Sequence, residues 1–150
     1  MTFRYARHTS DLDSIEKFYT DIVGLEKLGG FENHNHYNGL FFGHQHSNWH
    51  LEFTTSLEKP KSTFDEDDIL VFYVNTAVEL NAIKKVLNQK NIPLEVPKNP
   101  YWAANGIMIS DPDNYKIVFS IKHLIFNSND QLTTLIKSKG IDNWSDLIEY

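Results

Sequence analysis

The 150-residue chain contains no cysteine. Disulfide scaffolds, thiolate zinc sites and cysteine nucleophiles are therefore excluded. Basic residues are in deficit, with 14 Lys and Arg against 20 Asp and Glu, a net charge of −6. A nucleic-acid binder needs a basic face to neutralise phosphates, so that class is not expected. No apolar run approaches the ~18 residues of a membrane span. The opening residues Met1 to His8 lack the apolar centre of a signal peptide. A soluble, cytoplasmic protein without membrane contact is the expectation. There is no phosphate-cradling glycine loop, no G-x-S-x-G elbow and no H-E-x-x-H pair.

What is present suffices for a core: 41% of residues are hydrophobic and 13% aromatic. Phe3–His8 alternates as a strand does. Thr9, Ser10 and Asp11 supply capping oxygens for a helix over 11–23, whose apolar stripe is Leu12, Ile15, Phe18, Tyr19 and Ile22. Gly24 closes it. Strands follow at 26–32, 37–44 and Trp49–Thr55, separated by turns at 33–36 and 45–48. An aperiodic acidic connector spans 57–68. The order then recurs. Ile69–Val74 is a strand, Thr76 and Glu79 form a T-x-x-E capping box, and a helix over 77–90 ends at Asn91. Strands at 94–96, Gly106–Ser110 and 115–121 complete the second half, with a turn at Asp111 to Asn114. The order and spacing of the halves match at an offset of 66 or 67.

Certain residue combinations within this repeat are specific. They are Asp11-Leu12 leading a helix with Phe18-Tyr19, then Gly24-Leu25 and His50-Leu51-Glu52-Phe53. In the second half they are Asn99-Pro100-Tyr101-Trp102, Gly106 and Asp111-Pro112-Asp113-Asn114-Tyr115-Lys116-Ile117. Over residues 3–121 the chain resembles the vicinal oxygen chelate superfamily, which includes glyoxalase I, bleomycin-resistance proteins and extradiol dioxygenases. The resemblance implies an α+β fold in which paired βαβββ modules, 3–55 and 69–121, form a curved sheet around a cavity. Residues 1–121 would make one such domain, and 122–150 a helical C-terminal extension.

Enzymes of that superfamily hold a divalent metal with four side chains, which fall here on Arg4, Glu52, Ile69 or Leu70, and Val118. Only Glu52 can ligate, because arginine is permanently cationic and the aliphatic residues offer no lone pair. No metal and no cofactor is therefore expected. Histidine is abundant, however, with His34, His36, His44, His46 and His50 inside 17 residues. His34-x-His36, His44-x-His46 and His50-x-Glu52 each place two donor side chains on one face of an extended segment.

Strand parity also puts Arg4, Ala6 and His8 on one face, and His50 and Glu52 on one face. An Arg4–Glu52 ion pair follows if both faces line the cavity. Tyr101 and Trp102, in a loop after Pro100, are placed to stack on a flat ligand. The expected ligand-binding set is Arg4, His50, Glu52, Phe72, Tyr101 and Trp102. Three functions are compatible with it. One is binding of a small organic molecule without the usual metal centre, as in bleomycin resistance. Another is a metal-dependent lyase or dioxygenase using a non-standard His/Glu site. The third is a non-catalytic interaction module. The apolar residues of the extension, Leu132, Leu135, Ile136, Trp144, Leu147 and Ile148, need burial in cis or across a homodimer interface.

Overall fold

The structure, a computed structural model, describes residues 1–61 and 63–121. The expectations for 122–150 lie outside the described residues. The chain divides into two compact units. The first is residues 1–68 together with the turn 110–115, and the second is 69–109 together with the chain from Lys116.

The first unit runs β1 (Phe3–His8), α1 (Leu12–Asp21), β2 (Glu26–His34), β3 (Tyr37–Gly43) and β4 (Trp49–Thr55). Its sheet has the order β1-β4-β3-β2. β1 lies parallel to β4, and β3 is antiparallel to both β4 and β2. The helix starts where Asp11 accepts a hydrogen bond from the Ser14 N–H at 3.0 Å. It stops at Asp21, two residues short of expectation, and the chain turns through Gly24 at φ 81°. One face of α1 buries Ile15, Phe18 and Tyr19. Register puts Tyr5, Arg7, Leu40, Phe42, Leu51 and Phe53 on the sheet face toward this helix. The Tyr19 ring packs 4.6 Å from Phe53 and 6.1 Å from Phe42. Each such fully buried aromatic contributes about 1.5–3 kcal/mol as an upper estimate.

Strand β2 runs longer than the sequence suggests, because the hairpin closes in only two residues. Asn35 and His36 both adopt positive φ, 50° and 69°. That is the combination a two-residue hairpin turn matching the sheet twist requires.

The second unit runs β5 (Ile69–Val74), α2 (Ala77–Gln89), α3 (Pro100–Asn105), β6 (Gly106–Ser110) and β7 (Lys116–Ile121), with sheet order β5-β7-β6. β5 and β7 are parallel. Thr76 caps α2 by accepting from the Glu79 N–H at 3.2 Å. The Glu79 carboxylate reaches back to the Asn75 N–H, one residue before the cap. Asn91, at φ 55°, turns the chain after α2 as Gly24 does after α1.

Two expectations need correction. The strand expected at 94–96 is a single bridge, Glu95 to Met108. Pro93 and Pro97 flank it and lack the N–H that a longer ladder would use. The loop expected around Tyr101 and Trp102 is the helix α3. Asn99 caps it through the Tyr101 N–H, and Pro100 occupies its first turn. Both units combine strands and helix in βαβββ-like order, an α+β fold.

Candidate functional site

Parallel pairing of β1 with β4 sets Arg4 opposite His50 and Ala6 opposite Glu52. Antiparallel pairing sets Phe41 opposite Glu52. All these side chains leave the sheet on the face turned away from α1. There Arg4 Nη1 donates to Glu52 Oε2 at 2.8 Å, and Arg4 Nε donates to His50 Nε2 at 2.9 Å. A guanidinium only donates, so the His50 nitrogen that receives it carries the lone pair. The Arg4 guanidinium lies 5.7 Å from the Phe41 ring centroid. The His50 ring meets the same Phe41 edge-on at 5.8 Å. Glu52 is nearly enclosed, with 11% of its side chain exposed, whereas Arg4 is 54% exposed. The group presented to the outside is therefore the cation.

Three expected site residues thus meet on one sheet face. Phe41 joins them, and so does Phe31, 5.9 Å from Phe41. Neither phenylalanine was singled out in the sequence. The available signal was parity: Phe41 is opposite Glu52 once the β3–β4 register is known. Gly39 lies under Phe31, and a Cβ there would strike that ring.

In the second unit, Tyr101 and Trp102 form an edge-to-face pair at 4.8 Å on α3. Burial raises the Tyr101 hydroxyl above its ordinary pKa, with a smaller push from Tyr73. The Ser120 hydroxyl donates to the backbone oxygen of Asn105, the last residue of α3. Phe72 alternates with Tyr73 and pairs with Phe119, whose ring stacks on it at 5.9 Å. It thus lies on the sheet face opposite Tyr73 and Ser120. The second unit does not bring Phe72 to the face that α3 approaches.

The metal positions implied by the superfamily can be tested against this geometry. Ala6–Glu52 and Val71–Val118 are corresponding pairs in the two registers, so the counterpart of Arg4 is Ile69. The four positions are Arg4, Glu52, Ile69 and Val118. Glu52, the one anionic donor, is hydrogen-bonded to the guanidinium that replaces the first ligand. The residues present do not fit a divalent ion. Among the described residues no three His, Asp or Glu side chains form a group that could hold one.

A second polar cluster lies on the opposite face of the same sheet. Arg7, beside Phe53, binds Asp111 and Asp113 through Nη2 at 2.5 and 3.1 Å. Its guanidinium sits 3.9 Å from the Tyr115 ring centroid. The Tyr19 hydroxyl donates to the same Asp111 oxygen at 3.0 Å. Burial opposes the Arg7 charge, but Tyr19, Asp111 and Asp113 outweigh it and hold its pKa above the ordinary value. Burial, reinforced by Asp111, drives the Tyr19 hydroxyl well above its usual range. This cluster explains the Asp111-Pro112-Asp113 sequence as a structural tie rather than a ligand site.

The chain's relatives agree with this fold. The family models for the YycE-like N-terminal domain and the YycE-like C-terminal domain match residues 3–54 and 67–120. The protein YycE of Bacillus subtilis (strain 168) is 42% identical over 117 residues, covering 77% of this chain and 84% of its own. The crystal structure of a YycE protein from Bacillus subtilis, a candidate glyoxalase/fosfomycin resistance protein of unknown function, superposes with a TM-score of 0.76. It is 39% identical and covers 85% of this chain and 93% of that one. At 19% identity, the Leishmania major glyoxalase I shares the fold with a TM-score of 0.66, covering 93% of this chain and 97% of its own. So does TnmS3, an antibiotic binding protein from Streptomyces sp. CB03234, also at 19% identity, with a TM-score of 0.61 and coverage of 82% and 96%. The paired modules and these matches together make the chain a member of the YycE-like family, within the vicinal oxygen chelate superfamily.

Proposed function

We propose that this protein binds a small organic molecule against the Arg4–His50–Glu52 face, without a metal ion in the binding step. The observation that carries this reading is the Arg4–Glu52 hydrogen bond at 2.8 Å. It commits the one carboxylate of the inherited donor set to a guanidinium. The arrangement can orient and discharge a polar group, but it offers no Lewis acid to activate a substrate. Sequestration is therefore favoured over lyase or dioxygenase chemistry. The antibiotic binding described for TnmS3 supports that reading at the level of fold only. Phe72 is left out, because its ring packs on Phe119.

The test is native mass spectrometry and metal analysis of the purified chain, followed by a thermal-shift screen of small organic molecules. Binding that raises the melting temperature in the presence of a chelator, and that weakens in Arg4→Gln, is expected. One tightly held zinc, nickel or iron per chain, lost in Glu52→Gln, would overturn the reading and favour a metal-dependent enzyme.

A further inference from the structure

We infer that Arg4 takes over the anchoring role that a metal has elsewhere in the superfamily, and that the ligand is a flat organic anion held through its oxygens. This rests on the binding reading above and names the chemical class of its ligand.

The asymmetry of the ion pair is the main argument. Glu52 is 11% exposed and accepts from Arg4, so its charge is enclosed and already matched. Arg4 is 54% exposed. Its Nε is used by His50 and its Nη1 by Glu52, while no described residue engages its Nη2 amine. A guanidinium fixed by two partners through Nε and Nη1 keeps its Nη2 donors free to receive an oxygen of a carboxylate or a similar oxyanion. His50 strengthens this role, since it occupies Nε and so fixes the plane in which the remaining donors point.

The surroundings of Arg4 specify the rest of the ligand. Phe41 lies beneath the guanidinium, and Phe31 continues the aromatic floor 5.9 Å further on. The backbone beside those rings is kept low by Gly39 and Gly29, which carry no side chain. Ala6 is the only small apolar side chain between Arg4 and His8 on β1 with the same parity. The result is a flat apolar strip ending at a cationic donor. It suits an aromatic ring bearing an acid group. The net charge of −6 favours approach of cations at long range, but long-range attraction is screened beyond about 8–10 Å. Contact selectivity belongs to the exposed guanidinium.

The experiment is calorimetric titration of the full chain, in chelator, with benzoate, benzamide and benzamidine. These are nearly isosteric probes that are anionic, neutral and cationic. Benzoate is expected to bind roughly tenfold or more tighter than either of the others, the scale of one charge-assisted hydrogen-bonded contact. Arg4→Gln should remove that preference. Because it leaves Glu52 without its partner, Arg4→Gln/Glu52→Gln serves as a second variant that keeps a neutral hydrogen-bonded pair. It too should lose the preference for benzoate while retaining the melting temperature. Phe41→Leu should weaken benzoate and benzamide alike. Equal binding of the three probes, or tighter benzamidine, would overturn the anion assignment yet leave small-molecule binding standing. Failure of all three, with a stoichiometric metal found on Glu52, would overturn both.

Discussion

Arg7 and Arg4 lie three residues apart on one strand, and opposite parity gives them opposite fates. Arg4 emerges on the open face. Arg7 is sealed against Phe53 and Tyr115 with the Asp111 carboxylate, whose side chain is fully buried. Removing Arg7 would strand that carboxylate without its counter-charge. Arg7→Ala should therefore cost about 3–5 kcal/mol, read as a lower urea midpoint. Tyr19→Phe removes one hydrogen bond to the same carboxylate and should cost about 1–3 kcal/mol. Tyr19 also predicts a pH response. Its folded pKa lies above the ordinary 10.0, so the unfolded chain gives up this proton first as pH rises. The stabilisation is complete below pH 10.0 and declines as pH climbs toward the folded pKa. Denaturation midpoints measured from pH 8 to 11 should fall less steeply in Tyr19→Phe than in the parent chain.

Helix starts and hairpin turns make separate predictions. Asp11 is held below its ordinary carboxylate pKa of 3.8 by the Ser14 hydroxyl and backbone N–H. Its capping contribution is present above that value and disappears as pH falls through the lowered pKa. Asp11→Asn should keep α1 capped and flatten the acid limb of the stability profile, whereas Asp11→Ala should lower the melting temperature near neutral pH and converge on the parent chain in acid. At α2, Thr76→Ala should cost about 1 kcal/mol through loss of the bond to the Glu79 N–H. The β2–β3 turn asks for the opposite change. His36 sits at φ 69°, where a Cβ is disfavoured, so His36→Gly should stabilise the hairpin by up to about 1 kcal/mol in chemical denaturation. Most element positions were legible because period, caps and turn residues are local signals. Trp49–Thr55 and Ile69–Val74 appear over the stretches that their alternation and β-branched content indicated. The expected strand at 94–96 and the expected loop around Tyr101 and Trp102 differ from the structure because prolines carry two messages. Pro93 and Pro97 curtailed a ladder, while Pro100 began a helix.

For the whole molecule, dialysis against a chelator should change neither the melting temperature nor ligand binding, both measurable by calorimetry. A fall of several degrees on chelation would reveal a metal that holds the fold. The sequence by itself determined the repeated order of strands and helices, because each element is specified by neighbours within about ten residues. It also determined that the superfamily's metal positions hold one usable donor, since ligand chemistry belongs to the residue type. That Arg4, Ala6 and His8 share a face followed from period-two alternation along a single strand. What alternation leaves open is which strand lies beside which, and in what register. Only the parallel pairing of Arg4 with His50 brought Glu52 and Phe41 to the same guanidinium. The Arg7–Asp111 tie joins residues 104 positions apart. Nothing local in either segment encodes such a contact, because it exists only when folding has offset the desolvation of both charges by bringing them together.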